Sequence, residues 1–112
     1  MPVILFVRIR SDLDRAEFER RLLERRPRFR AVPGLQQKVY GRDPRTGDVC
    51  GIYFFESDEA LNAFRETELA RTIPKAYEAA DVRREAYDVL YSLWPDRGPF
   101  SHIEPIRTDN SA

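Results

Sequence analysis

The sequence predicts an α+β domain in which two helices pack on a four-stranded antiparallel sheet, with the element order βαββαβ. Three observations predict this class. Four runs rich in β-branched and aromatic residues are typical of strands, two amphipathic segments with polar caps are typical of helices, and one turn-rich segment joins the two middle runs as a hairpin. The chain of 112 residues has the size of one compact domain, so we expect a single core.

The first strand is predicted over residues 2–10, where β-branched and aromatic side chains dominate. Ser11 or Asp12 then caps an amphipathic helix over residues 14–29, with apolar side chains along one side. Pro27 lacks the amide hydrogen that an interior helical residue donates, so we expect the helix to kink or end there.

The second half of the chain repeats strand and helix signals. Residues 35–40 and 49–55 are strand-like, and the segment between them is rich in turn formers, which predicts a β-hairpin. The capped acidic start at Ser57 predicts a second helix over about 58–70. Alternation over 82–93 predicts the last strand.

This element order is that of a ferredoxin-like sheet. Parallel crossovers are right-handed, so both helices lie on one face and the opposite face stays uncovered. We place this domain at residues 1–94 and expect residues 95–112, which have several prolines and no periodic pattern, to form a C-terminal tail.

Composition excludes several functional classes. Lys and Arg number 19 and so do Asp and Glu, which leaves no uncompensated basic field for nucleic acid. No apolar run is long enough for a membrane span or a signal peptide. With one cysteine and one histidine we expect neither a disulfide nor a metal site, and we expect the protein in the reducing cytoplasm.

The uncovered face of the sheet is where we expect the functional residues. By strand alternation we assign to it the aromatic and basic side chains of all four strands: Phe6, Arg8, Lys38, Tyr40, Tyr53, Phe55, Tyr87 and Tyr91. A monomer would expose this face as a large apolar patch. We therefore expect a second copy of the chain to bury it, in a homodimer.

Short motifs add a family resemblance. The stretch PGLQQKVY at 33–40, GIYFF at 51–55, and DEAL at 58–61 with Ala70-Arg71 together resemble the YdhR-like monooxygenases of the dimeric α/β-barrel superfamily, which also holds the antibiotic-biosynthesis monooxygenases. The resemblance implies two sheets packed face to face as a barrel with a pocket in each half. It also implies oxidation of a small hydrophobic or aromatic, polyketide-like substrate by O₂ without flavin, metal or other cofactor.

Such a reaction needs apolar walls and a donor that holds an oxyanion away from water. Lys38 or Arg8 could supply the cation, and Lys38 with Tyr53 are our candidate catalytic residues. The other candidates bind substrate. Phe6 and Phe55 could be walls, Tyr40, Tyr87 and Tyr91 could donate hydroxyl hydrogen bonds, and Arg8 could contribute a cation. Arg71, which matches the Ala-Arg pair of the family, could lie at the pocket rim.

Each candidate also has a purely structural interpretation. Strand tyrosines are most often core or interface side chains, Lys38 could form a salt bridge across the dimer, and Arg8 and Arg71 could be ion-pair partners. His102 in the tail is either solvated or delivered to the pocket as a general base.

Two further functions stay open at this point. The same pocket could serve proton transfer in an isomerase or cyclase, because fold does not fix the reaction. Alternatively, the protein could be a dimer that binds a small molecule without catalysis.

Overall fold

A computed structural model describes residues 1–100 and confirms the predicted fold class. Its single sheet has four antiparallel strands in the order β2-β3-β1-β4, which is the ferredoxin-like order. The strands are β1 (Val3–Ser11), β2 (Leu35–Arg42), β3 (Val49–Phe55) and β4 (Ala79–Asp88).

The helices are α1 (Arg15–Arg30), α2 (Asp58–Arg65), α3 (Glu68–Arg71) and α4 (Ile73–Ala76). Side chains cap the first three: Asp14 accepts from the Glu17 amide, Ser57 from the Ala60 amide and Thr67 from the Ala70 amide. Each cap satisfies an amide that the first helical turn leaves without a partner.

The helices differ from the sequence-based predictions at three points, of which the first is that Asp14 caps α1 in place of Ser11 or Asp12. α1 continues through Pro27 to Arg30, because Pro27 and Leu23 lie on the exposed side of the helix, where water can solvate the carbonyl that loses its partner. The predicted helix 58–70 is two helices, since Thr67 ends one and caps the next, its hydroxyl donating to the Phe64 carbonyl.

The last strand was predicted over 82–93 but spans Ala79–Asp88. Within residues 1–100, β4 is an edge strand that pairs only with β1, and Asp88 lies opposite Val3, the first residue of β1. After one further bond, from the Val89 amide to the Pro2 carbonyl, the described part of the chain offers β4 no more backbone to pair with.

The two faces of the sheet have different surroundings. Odd-numbered residues of β1 and β3, among them Val7 and Tyr53, are buried beneath the helices. Even-numbered residues of these strands, such as Phe6 and Ile52, lie on the open face and are only half-buried. One corner of the open face is covered by Phe100, whose ring packs 5.6 Å from that of Phe54.

Gly34 fixes the approach of the α1–β2 turn to α2. Its φ is +78°, and a Cβ at this position would lie 2.5 Å from the Cβ of Ala60. We expect Gly34→Ala to lower the free energy of unfolding by about 2–4 kcal/mol, through backbone strain and overlap with α2. Urea denaturation measures this.

Gly47→Ala is the matched control for this prediction. Gly47 has a φ of +81° but nothing within 4 Å of an added Cβ, so its substitution carries the backbone strain alone. We expect a cost of about 1 kcal/mol. Equal costs at the two positions would contradict the role of close packing at Gly34.

Candidate functional site

The predicted site residues divide between the two faces of the sheet. We expected Lys38, Tyr40, Tyr53 and Phe55 on the open face, and this orientation was wrong: all four point toward the helices. In antiparallel strands, residues directly opposite one another share a face, and Lys38 lies opposite Tyr53. Both alternating sets of β3 are apolar or aromatic, so alternation could not decide which set the helices cover.

Lys38 occupies an aromatic box under α1. Its Nζ lies 3.5 Å from the centroid of the Phe29 ring and 4.4 Å from the centroids of Tyr40 and Tyr53. No carboxylate within residues 1–100 forms a salt bridge with it. The charged form is therefore held by aromatic faces alone, which compensate only part of its lost hydration.

This environment changes the protonation of Lys38. Burial, together with the positive charge of Arg25, lowers the pKa of the Lys38 ammonium to about 7. Near neutral pH the side chain is therefore divided between ammonium and amine. It can hold a negative oxygen in the first form and accept a proton in the second.

Arg25 is a second buried cation beside this box. One of its Nη atoms donates to the Leu69 carbonyl at 2.7 Å, and Nε has no hydrogen-bond partner among the described residues. Its guanidinium lies 5.8 Å from the centroid of Phe29 and 5.5 Å from that of Tyr77. Arg25 thus adds positive potential to the space around Lys38 without a compensating acid.

Three tyrosines complete the polar lining. Burial raises the pKa of Tyr53 well above its usual range, that of Tyr77 to about 12, and that of Tyr40 above its ordinary value. All three therefore remain hydroxyl donors at neutral pH. The Tyr77 hydroxyl is buried and has no hydrogen-bond partner among residues 1–100.

Two cavities meet at Lys38 and Tyr40. An enclosed one of about 10 Å³ is also lined by Tyr53 and Tyr77, together with apolar side chains of the core. An open groove of about 310 Å³ lies between α1 and β2, and we call it the α1–β2 groove. Its lining consists of Arg26, Phe29, Arg30, Leu35, Gln36, Gln37, Lys38 and Tyr40. A ligand in the groove would meet the Lys38 amine at its inner wall.

A larger, open groove of about 750 Å³ lies between the end of α1 and α2. Its wall is formed by apolar residues such as Ala60 and Phe64, with glutamates at the rim. We place the candidate site in the α1–β2 groove, where perturbed groups converge.

The remaining predicted residues lie elsewhere. Phe55 is fully buried in the core, 5.4 Å from the Phe64 ring, and is not a cavity wall. Phe6, Arg8 and Tyr87 lie on the open face as expected, and the sheet separates them from Lys38.

The structural interpretation of the two candidate arginines is confirmed. Arg8 donates to Asp43 and Asp48 at 2.9 Å each, which ties β1 to the β2–β3 turn. Arg71 pairs with Glu66 at 2.6 Å on the exposed side of α3.

The last two candidates follow β4. Tyr91 lies after that strand and is exposed. His102 lies outside the described residues.

Sequence reasoning missed Arg25, Phe29 and Tyr77. One signal was available, because Phe18, Leu22, Arg25 and Phe29 share one side of α1 at spacings of three and four. Because Arg25 lies within this apolar stripe, it is buried against the same core as Phe18 and Phe29. Tyr77 follows the short helix α4 and carries no periodic signal.

Two kinds of feature are absent from residues 1–100. No group of three histidine, cysteine, aspartate or glutamate side chains there is arranged to hold a metal ion. No helix of that part of the chain is both long and apolar enough to cross a membrane.

Comparison with known sequences gives one family match. Residues 4–94 match the family described as "Putative mono-oxygenase ydhR". No protein of curated function matches the sequence at a significant level.

Solved structures of low sequence identity share the fold. Rv0793 from Mycobacterium tuberculosis is 18% identical with a TM-score of 0.69, over 83% of this chain and 99% of that one. SnoaB, a cofactor-independent oxygenase from Streptomyces nogalater, is 15% identical with a TM-score of 0.69, over 82% and 96%. A dimeric ferredoxin-like protein of unknown function from Thermobifida fusca is 13% identical with a TM-score of 0.66, over 80% and 92%.

Proposed function

The chain belongs to the ydhR mono-oxygenase family, and from that premise we propose that it is a cofactor-independent monooxygenase acting on a small hydrophobic or aromatic substrate in the α1–β2 groove. The observation that carries the proposal is the Lys38 amine, buried among aromatic rings at the inner wall of the groove with no acidic partner among residues 1–100. SnoaB, which shares the fold, is described as a cofactor-independent oxygenase, and this supports the reaction class.

The reaction converts an activated methylene group and O₂ into a ketone and water. Loss of a proton leaves the electron pair on carbon, and one electron then passes from this carbanion to O₂. The substrate radical and superoxide combine through a new carbon–oxygen bond, and protonation gives a hydroperoxide. Loss of the second proton from the same carbon then breaks the oxygen–oxygen bond, and the hydroxide that leaves takes up a proton to become water. One oxygen atom remains in the ketone and the other is in the water.

Lys38 serves these reaction steps in two ways. As an amine it accepts the proton from the substrate, and as an ammonium it stabilises the negative oxygen of the enolate and of the peroxide. Tyr40 lines the groove beside Lys38, and Tyr53 lines the small cavity that adjoins the groove at these two residues. Both tyrosines supply neutral hydroxyl donors. Phe29 and Tyr40 offer ring faces to an aromatic substrate.

We also propose that the protein is a homodimer in which two open sheet faces pack together as a barrel. The middle of this face is apolar, with Phe6 opposite Ile52 and Ile52 opposite Val39. The Thermobifida fusca protein of the same fold is described as dimeric, which supports this assembly.

Proton transfer without oxygen is a second candidate reaction. A pKa of Lys38 near 7 suits a base that both takes and returns a proton, as an isomerase or cyclase requires. The two reactions share the site and differ in their need for O₂.

Oxygen uptake with anthrone, which carries an activated methylene group, tests the proposal. We expect consumption of O₂ by the dialysed protein and one atom of ¹⁸O from ¹⁸O₂ in the product. Turnover that persists without oxygen would favour proton transfer. Saturable binding without any turnover would favour a small-molecule-binding dimer.

Tyr53→Phe removes one hydroxyl from the wall of the enclosed cavity and leaves the ring. We expect kcat to fall about 10- to 100-fold, because one oriented donor to the developing oxyanion is lost. Tyr91→Phe removes the same atom from an exposed tyrosine and is the matched control. A Tyr53→Phe enzyme as active as Tyr91→Phe would show that this hydroxyl has no part in the reaction.

A further inference from the structure

The arginines of α1 fall into two groups. In its first half, Arg15 pairs with Glu19 at 3.0 Å, and Arg20 and Arg21 pair with Glu17 at 2.8 and 2.7 Å. The hydrogen bonds from Arg20 and Arg21 lower the pKa of Glu17 to about 2. The first half of the helix is thus internally neutralised.

The second half of α1 is not neutralised. Arg25, Arg26 and Arg30 form no salt bridge with any carboxylate of residues 1–100. Arg26 and Arg30 are one helical turn apart, so their like charges repel and cost stability. An arrangement that costs stability and has no protein partner is what an anionic ligand would relieve.

These cations converge on the α1–β2 groove. Its lining includes Arg26, Arg30 and Lys38, and it includes no acidic residue. In a chain with equal numbers of acidic and basic residues, this makes the groove locally positive. Behind it lies the buried guanidinium of Arg25, whose Nε has no hydrogen-bond partner within the described part of the chain.

The apolar part of the lining defines the rest of the ligand. Phe29 and Tyr40 present aromatic rings, and Leu35 adds an aliphatic side chain. A volume of about 310 Å³ admits a molecule of two or three fused rings and is at the lower end of ligand sites. Guanidinium groups bind planar carboxylates through paired hydrogen bonds.

We propose that the α1–β2 groove binds a planar aromatic carboxylate, with its ring against Phe29 and Tyr40 and its carboxylate held by Arg26 and Arg30. The inference rests on the proposed function for the location of the substrate and adds the chemical class of that substrate. It places the charged end of the ligand at the groove rim and its ring toward the Lys38 amine.

The test compares an acid with its neutral ester. Binding of 2-naphthoate and of methyl 2-naphthoate to the full chain is measured by calorimetry at pH 7.5, without oxygen and at low salt. We expect the acid to bind at least about tenfold tighter, as two charge-assisted contacts imply, and this preference to shrink as salt is raised. Equal binding, or no detectable binding of the acid, would overturn the proposal.

A double variant tests whether Arg26 and Arg30 cause the preference for the acid over the ester. The double variant Arg26→Ala/Arg30→Ala should lose the preference for the acid and keep the affinity for the ester. Arg28→Ala is the matched control, because Arg28 is on the same helix but lines the other groove. An equal loss in Arg28→Ala would overturn the proposal, since the preference would then follow net charge.

These experiments distinguish a failure of the carboxylate site from a failure of the proposed monooxygenase reaction. Charge-selective binding by a protein that consumes no O₂ with any substrate would leave the carboxylate site in place and refute the monooxygenase. Oxygen consumption with ester and acid bound equally would refute the carboxylate site alone.

Discussion

Replacing Lys38 by methionine is expected to abolish oxygen consumption and at the same time to stabilise the folded protein. Activity should fall at least about 1,000-fold, because both the proton acceptor and the cation at the oxyanion are removed. Stability should rise because methionine fills a similar volume between Phe29 and Tyr53 without a charge to desolvate.

The stability that Lys38→Met gains over the wild-type protein should depend on pH. The pKa of Lys38 falls from 10.5 to about 7 on folding, so between these values the unfolded chain binds more protons and stability rises with pH. Below pH 7 the full penalty applies, and with partial solvent access we expect it to be roughly 2–4 kcal/mol. The raised pKa values of the tyrosines of the site keep these groups neutral up to about pH 9, below the ordinary pKa of tyrosine.

Denaturation by urea at pH 6 and pH 9 measures this effect. The wild-type protein should gain more stability between the two values than Lys38→Met does. Lys75→Met is the matched control, because Lys75 is the other lysine of the chain and is exposed. If Lys75→Met and Lys38→Met changed the pH dependence equally, Lys38 would not be desolvated in the folded state.

The sequence was sufficient for the order of the four strands and for the helical character of the two connections between parallel strands. Local chemistry determines these features: Ser57 caps a helix because its hydroxyl meets the Ala60 amide, and the turn formers between β2 and β3 close a hairpin. The end of β4 depends instead on where its partner β1 begins, and this is decided by tertiary structure and not by the local sequence. Pro27 was tolerated because the helix exposes that side, which is also decided by packing.

The site was partly predictable for a reason that lies in the hairpin. Lys38 and Tyr53 lie opposite one another on β2 and β3, so they share a face whichever side the helices cover. The prediction that Lys38 and Tyr53 lie close together was therefore correct although the faces were assigned wrongly. Their grouping with Phe6, Arg8 and Tyr87 depended on that assignment, and it failed.

The two sheet faces consequently have separate proposed roles. The helix-covered face holds Lys38 and the groove, and the open face is left for self-association. This separation means that assembly and ligand binding can be tested by different substitutions.

Ile52→Asp is expected to convert the proposed dimer into a monomer. Ile52 lies at the middle of the open face, between Phe6 on β1 and Val39 on β2. Two copies of the substitution would bury two unpaired carboxylates in the interface, each at a cost of several kcal/mol. In the monomer the same position is only half-buried, so the fold should tolerate the charge. Light scattering should therefore give 13.1 kDa for the variant and twice that mass for the wild type.

Leu23→Asp is the matched control, since Leu23 is exposed on the outer side of α1, away from the sheet. It should remain dimeric. An Ile52→Asp protein that stays dimeric would show that the open face is not the interface. Because the α1–β2 groove lies on the opposite side of the sheet, monomeric Ile52→Asp should still bind 2-naphthoate with nearly wild-type affinity. Loss of that binding on dissociation would instead mean that the second copy contributes to the groove, and the two faces would not act independently.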